Sequence, residues 1–337
     1  MARAWSLHSR PEGMPKHTDF AMIDVALAAL GDGEVRIANR WLSVDPYMRG
    51  RMNDVKSYVP PFVLGEPMQG GAVGEVIESR ADAVPVGTWV QHMGGWRDEA
   101  VMPAAQVQRL PDLGVDPQAF LGQLGMPGMT AYFGLLAVAE AKAGDTVFVS
   151  AAAGAVGSTV VQIAKAKDMT VIGSAGGADK CDWVRSLGAD AVIDYKAGEP
   201  LVKALAAAAP KGIDVYFDNV GGDHLDAALA HARPNARFAI CGMIDVYNSG
   251  EPTKLRYLAR LIGNRVRMQG FIVSDHMARA AEFYDDMGAM LKAGTLKREE
   301  TVHDGLEAMP DAFLGLFTGG NKGKMLVRLS EPDRKLS

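Results

Sequence analysis

The sequence predicts an α/β protein in two parts: a strand-rich, barrel-like domain, then a doubly wound domain with a parallel sheet of about six strands. Three observations predict it. A strand, a small-residue turn, a helix and a second strand follow one another without a break from Thr146 to Ser174. Strand and helix patterns then alternate at regular distances as far as Val273. Ahead of them, residues 1 to about 120 hold short apolar runs punctuated by Gly, Pro and Asp, with few helical patterns.

The first of these is a βαβ unit. Thr146–Val149 is β-branched and aromatic, Ser158–Ala166 has apolar residues at helical spacing, and Thr170–Ile172 is a second apolar run. The turn between them, Ala152-Ala153-Gly154-Ala155-Val156-Gly157, is a G-x-G-x-x-G pattern with alanine in the first glycine position. Positions without bulky side chains let the main chain approach a pyrophosphate, and the N–H groups and positive dipole end of the following helix face the anion. The same residues would serve close packing of helix on strand, but they stand where dinucleotide binding needs them, after a strand and opening a helix. A site for NAD commonly carries an acid at the end of the second strand, for the ribose hydroxyls. Here that place reads Gly173-Ser174-Ala175-Gly176-Gly177, with no acid before Asp179 and a base at Lys180. An uncharged, hydroxyl-bearing loop followed by Lys suits the 2'-phosphate of NADP. Lys180 taken alone reads more commonly as a solvated residue in a first helical turn.

In the first domain the strand candidates are Glu34–Leu42, Ala72–Ile77 and Thr88–His92. Asp45–Gly50 follows the first of these, and Ser57–Gly71 is too rich in Pro and Gly for regular structure. Loops held on a rigid barrel are where binding groups usually sit. Met129–Ala141 reads as a helix. After the βαβ unit, strands at Ala191–Asp194, Ile213–Phe217, Arg237–Cys241 and Val266–Val273 alternate with helices at Lys180–Leu187, Pro200–Ala209, Leu225–Ala232 and Thr253–Ile262. Ligands of such sheets lie beyond the carboxyl ends of the strands. Those ends are Asp218–Gly222, Gly242–Tyr247 and Phe271–Val273. Arg279–Ala293 and Gly305–Leu316 read as helices, and Lys324–Leu329 as a strand that rejoins the first domain. The expected division is therefore 1–120 completed by 305–337, and 121–304.

Composition narrows the function. The 337 residues are 48% hydrophobic and 22% charged, ordinary for a soluble globular chain. A net charge of -5 argues against a nucleic-acid surface. Two cysteines, Cys181 and Cys241, are too few for a disulfide framework or structural zinc, and with no signal-like apolar segment in Met1–Gly13 they point to a reducing, cytoplasmic setting. The uncharged runs Gln118–Ala139 and Thr146–Ala164 are long enough to span a membrane, but Gly and Pro127 interrupt them, so they read as buried core.

With these residues assembled, the chain resembles the medium-chain dehydrogenase/reductase superfamily, and more narrowly its zinc-independent branch of alkenal double-bond reductases, prostaglandin reductases and curcumin reductases. The matching stretches are Asp45–Met52, Gly65–Gly71, Met126–Leu135, Ala151–Ser158, Tyr216–Gly222, Ile240–Ile244 and Asn321–Lys324. The resemblance implies a GroES-like first domain completed by the C-terminal segment, a Rossmann second domain, and commonly a homodimer. It implies NADPH contacts from Gly154, Ala155, Val156, Gly157, Lys180, Tyr195, Asn219, Cys241, Gly242, Met243, Ile244, Tyr247, Phe271, Ile272, Val273 and Asn321. Zinc-dependent relatives bind metal through Cys, His and Glu of the first domain. Here that domain has no Cys, Gly65-Glu66-Pro67 stands where such relatives carry Gly-His-Glu, and His8, His17 and His92 are scattered, so no metal site is expected.

Without zinc to polarise a carbonyl, alcohol oxidation loses its usual acid, while reduction of a carbon–carbon double bond conjugated to a carbonyl remains feasible: hydride goes from NADPH to the β-carbon, charge collects on the enolate oxygen, where a donor must meet it, and a proton reaches the α-carbon. A tyrosine phenol suits that donor role, being neutral at pH 7 yet able to donate. Tyr47 and Tyr247 are the candidates. Tyr47 would otherwise pack on the Pro46 turn; Tyr247 reads better as a cofactor-loop residue than as an acid; Arg49 reads as a surface charge rather than an orienting group. Some relatives carry Tyr where this chain has Gly71 and Gly263, which suggests a more open pocket. Tyr47, Tyr58, Val59, Phe62, Met68 and Met243 suggest medium-sized apolar enals or enones as substrates. A quinone reductase using the same cofactor, or a non-catalytic NADPH-binding sensor or scaffold, would share these motifs.

Overall fold

The computed structural model describes residues 1–329; the part of the expected first domain at 330–337 lies outside the described residues. The chain forms two compact units. One comprises Met1–Leu121, Glu300–Asn321 and the described residues from Met325 on; the other comprises Gly122–Glu299 and Lys322–Lys324.

The first unit opens with β1 (Ala2–Leu7) and β2 (Phe20–Val25), paired antiparallel. The long β3 (Glu34–Ser43) leads into the single turn α1 (Met48–Arg51), then β4 (Ala72–Ser79), β5 (Trp89–His92), β6 (Glu99–Pro103) and the short β7 (Gln108–Arg109). β3 pairs with both β4 and β6, and β5 joins β4 to β7, all antiparallel. Gly74 makes the β3–β4 contact possible, because a Cβ there would lie 2.4 Å from the Ala38 carbonyl oxygen. The core is aromatic at its centre: Trp96 stacks on Phe20 at 5.8 Å and meets Phe313 edge-on at 5.9 Å.

The second unit begins with α2 (Met126–Phe133). Then come β8 (Thr146–Val149), α3 (Ala155–Ala166), β9 (Thr170–Ala175), α4 (Ala178–Ser186), β10 (Ala191–Asp194), α5 (Leu201–Ala208), β11 (Ile213–Asp218), α6 (Gly222–Ala230), β12 (Ala232–Ile240), α7 (Arg260–Gly263), β13 (Arg267–Gly270) and α8 (Ala280–Lys292). The six strands are parallel, in the order β10-β9-β8-β11-β12-β13. Renumbered within the unit this is 3-2-1-4-5-6, the dinucleotide-binding order, whose switch point lies between β8 and β11. The chain then supplies β14 (Glu300–Asp304), α9 (Met309–Thr318) and β15 (Lys324–Arg328), which complete the first unit's sheet in the order β14-β15-β3.

Three sequence expectations are corrected. The helix expected at Thr253–Ile262 shrinks to α7 (Arg260–Gly263), because the buried Asp226 carboxylate takes the backbone N–H groups of Arg256 (2.7 Å) and Tyr257 (3.0 Å) that a helix would need. The sixth strand ends at Gly270, not Val273; Val273 opens a 3-10 turn. The helix expected at Met129–Ala141 starts at Met126 and passes at Gly134 into a π turn, where a Cβ would stand 2.4 Å from the Phe271 ring and 2.6 Å from that of Phe217. Among the described residues, no helix is long and apolar enough to cross a membrane.

Candidate functional site

The second unit builds a cradle at the switch point. β8 delivers the chain through Ser150, Ala151 and Ala152 to Gly154, whose extended conformation opens α3 with no side chain capping the first turn. The first-turn N–H groups of Ala155, Val156 and Gly157 therefore end a twelve-residue helix with no side-chain acceptor from its N-cap residue, the arrangement that receives an anion. The two glycines do different work. A Cβ on Gly157 would sit 2.3 Å from the Ala151 carbonyl oxygen, so Gly157 lets the helix pack on the turn, whereas one on Gly154 would meet nothing closer than 3.3 Å.

At the end of β9 the structure changes the sequence argument. Ser174 does not present its hydroxyl to a ligand: it is fully buried, with Oγ 2.9 Å from Nε2 of His224. Two cations stand close by instead. Lys180, on the first turn of α4, is brought near Lys196, which follows β10, and burial together with Lys196 holds its ammonium below the ordinary lysine range. Tyr195 covers Gly176 between them; a Cβ on Gly176 would lie 2.7 Å from the phenol oxygen and 3.0 Å from the Lys196 side chain. Asp194 fixes this corner by accepting the backbone N–H groups of Gly177 and Lys196, each at 2.9 Å. Asp179, the nearest acid in sequence, is paired with Lys322 at 3.3 Å. Two lysines that repel one another beside a tyrosine hydroxyl fit a phosphate dianion. Lys196 escaped the sequence reading, although its place just after the third strand of a doubly wound sheet was a usable signal.

The ends of β11 and β12 are tied together. Asp218 is fully buried and uses one oxygen for the Tyr216 hydroxyl (2.6 Å), Ser150 Oγ (3.2 Å) and the N–H groups of Val220 (2.9 Å) and Gly221 (2.8 Å). Burial raises its pKa against those bonds. Asn219 donates its amide to the Ser150 carbonyl at 2.8 Å, which pins the exit of β8 to that of β11. The backbone N–H groups of Cys241 and Gly242 both reach the Asp218 carbonyl, at 2.9 and 3.0 Å. Burial pushes the Cys241 thiol up to about 12, so it remains a neutral packing group. Tyr247 turns back over its own loop, its hydroxyl 3.1 Å from where a Gly242 Cβ would stand, and Met243 packs against Gly221. The Phe271 ring is wedged into the core against Gly134 and Phe217, so its backbone rather than its ring is left for a ligand, with the half-buried Ile272 and Val273 after it. Asn321, half-buried, groups with the first unit, while the adjoining Gly323 donates to the Ala153 carbonyl of the cradle at 2.8 Å.

In the first unit the Tyr47 loop is held by two buried arginines. Ser43 Oγ bonds the Asp45 carboxylate, and Asp45 starts the turn that places Tyr47 at the N-terminal end of α1. Arg49 is 4% exposed and donates to Asn53 (2.7 Å) and to the Gly13 carbonyl (2.9 Å), so it is a clamp and not the surface charge expected. Arg51, 5% exposed, donates from Nε to the Pro60 carbonyl (2.8 Å) and from its guanidinium to Gln69 (2.8 Å), and lies over the Phe62 ring at 4.1 Å. Burial, then Asp45, raises the Tyr47 phenol above the ordinary tyrosine range, so it stays protonated. No sequence pattern marked either arginine as buried. Phe62 and Met68, expected to line a pocket, are buried in the first unit's core, whereas Tyr58 is exposed. A side chain at Gly71 would touch Ser43 at 3.3 Å, and one at Gly263 would meet open space.

Comparison with known proteins places this geometry in a family. A family model described as the N-terminal domain of oxidoreductase matches residues 3–110, and one described as zinc-binding dehydrogenase matches residues 155–292. The chain is 42% identical to the NADPH-dependent curcumin reductase of Escherichia coli, over 98% of each chain. It belongs to the medium-chain dehydrogenase/reductase superfamily. Within it, the NADP-dependent 2-alkenal reductase of Nicotiana tabacum is 40% identical over 94% of each chain. The crystal structure of CurA in complex with NADPH from Vibrio vulnificus superposes with a TM-score of 0.93 at 42% identity, over 98% of this chain and 100% of that one. This member of the superfamily is an oxidoreductase of the curcumin, alkenal and prostaglandin reductase branch, with the GroES-like and Rossmann parts that the branch combines. Among its described residues, no three His, Cys, Asp or Glu side chains come together in a way that could hold a metal ion.

Proposed function

We propose that this protein uses NADPH to reduce the carbon–carbon double bond of α,β-unsaturated aldehydes and ketones of medium size and apolar character. The observation that carries the cofactor choice is the lysine pair, Lys180 and Lys196, in place of an acid beyond β9. Likeness to curcumin and 2-alkenal reductases along almost the entire chain supports the reaction.

When bound, NADPH supplies the hydride. The chain's own groups do the rest. The first turn of α3, from Ala155 to Gly157, would hold the pyrophosphate, and Lys180, Lys196 and Tyr195 the 2'-phosphate. Asn219, the loop Cys241–Tyr247 and the backbone of Phe271–Val273 would hold the nicotinamide half, with Asn321 as a further contact. As charge moves onto the substrate oxygen, a neutral phenol is the fitting donor: it has a proton to give and desolvates cheaply. Tyr47 fits best, since its surroundings keep it protonated; Tyr247 serves the cofactor loop. The protein would act as a homodimer, which the exposed edge strand β13 supports through Met268, with Ile262 and Leu258 exposed beside it.

NADPH consumption against a panel of enals, enones and quinones, with NADH for comparison and with a chelator, tests the reading. Fast, chelator-insensitive turnover of enones with NADPH is expected. Turnover with quinones alone would make it a quinone reductase.

A further inference from the structure

Where β9 ends beside α6, two side chains distant in sequence close on one another. Ser174, fully buried, and His224, 7% exposed on the first turn of α6, are joined through Oγ and Nε2 at 2.9 Å. Burying an imidazole costs free energy unless its nitrogens are engaged, and an apolar side chain would fill the space between strand and helix without that cost. Burial keeps the ring neutral, so it acts by contact and not by charge. One of its contacts is core packing: the ring lies nearly parallel to that of Phe148, at 13° with centroids 6.4 Å apart. The other is with Tyr195, whose ring meets the imidazole edge-on, at 80° and 5.4 Å between centroids, a geometry in which aromatic pairs attract.

Tyr195 is the member of this series that a ligand can reach, being 41% exposed. Its backbone N–H is fixed to the Ala175 carbonyl at 3.2 Å, which leaves the ring to be held by its neighbours. Gly176 lies against the tip of the ring, where a Cβ would stand 2.7 Å from both the hydroxyl oxygen and the carbon that bears it, and His224 meets the ring from the core. The Lys196 side chain comes to 3.0 Å of the same Cβ position, so the hydroxyl and a cation are set close together. A donor fixed before the ligand arrives loses no rotamer freedom on binding, which is how preorganisation raises affinity.

We infer that His224 is a positioning residue of the 2'-phosphate corner: anchored by Ser174, its imidazole holds the Tyr195 ring against Gly176, so that the hydroxyl stands ready beside Lys196 and raises the preference for NADPH over NADH. This rests on the cofactor reading proposed above. It gives the buried serine and histidine a part in choosing the dinucleotide, beyond tying β9 to α6.

The dissociation constants of NADPH and NADH, titrated by fluorescence on the full chain, test this in a double-mutant cycle between His224→Leu and Tyr195→Phe. Tyr195→Phe takes away one hydrogen bond to a charged group and is expected to cut the NADPH preference about tenfold. His224→Leu is expected to cut it about fivefold, with the NADH constant changed less than about twofold. In the Tyr195→Phe background, His224→Leu should change the preference no further. His224→Phe restores a ring for Tyr195 without the bond to Ser174, and should recover part of the loss. Melting temperatures show which variants fold; if His224→Leu does not, Ser174→Ala, which releases the imidazole from its anchor, carries the cycle. Equal weakening of NADPH and NADH, an unchanged preference, or the same loss in both backgrounds would overturn the inference. A wild-type protein that binds NADH as tightly as NADPH would remove the cofactor reading itself, and the role with it.

Discussion

At the scale of single residues, the proposed chemistry rests on the two tyrosines and the lysine pair. Replacing Tyr47 by Phe removes the donor without disturbing its packing, and is expected to lower kcat by about two orders of magnitude while leaving NADPH affinity unchanged; stopped-flow turnover and cofactor titration check both. Replacing Lys180 and Lys196 by Ala should weaken NADPH about tenfold each and NADH hardly at all, measured as the ratio of the two dissociation constants. Buried histidines set a pH limit. His92, whose Nδ1 accepts from the Gly94 N–H, is lowered by burial from 6.5 to about 3, and His224 from 6.5 to about 4. Each is neutral when folded and gains a proton more readily when unfolded, so between those values stability rises with pH and is lost on acidification. The melting temperature should fall steadily from pH 6.5 towards 4, and His92→Asn should flatten that fall.

At the scale of elements, the glycine turn is where sequence and structure meet most directly. Gly157→Ala forces a methyl against the Ala151 carbonyl and should destabilise by about 1–3 kcal/mol. Gly154→Ala has room, so it should leave the melting temperature unchanged and weaken NADPH alone; calorimetry of both variants distinguishes fold from cradle. This turn was legible because its chemistry is local: β-branched strand, small residues, helical period. The alternating strands from Ala191 onward were legible for the same reason. What stayed hidden depends on groups far apart in sequence. Asp226 cannot be seen drawing the backbone of Arg256 and Tyr257 out of a helix thirty positions on. Nor do the letters of Ser174 reveal that its hydroxyl is spent on His224, so that of the features that pointed to NADP, the uncharged loop and Lys180 stand while that hydroxyl is already occupied. The arginines of α1 look solvated in sequence because arginine usually is; their burial follows from carbonyls at Gly13 and Pro60 that only the fold brings near.

At the scale of the molecule, the chain divides into a barrel-like unit and a doubly wound unit, and the proposed function gives them two tasks, presenting the phenol and holding the dinucleotide. If two copies join through β13, Met268→Lys with Ile262→Asp should halve the mass seen by light scattering and leave the circular dichroism unchanged. The central claim concerns where the hydride goes. Reduction of an enone with NADPH deuterated at the transferable position, followed by NMR of the product, locates it. Deuterium on the β-carbon of a saturated ketone is the predicted result. Deuterium on the carbonyl carbon of an unsaturated alcohol would contradict the account.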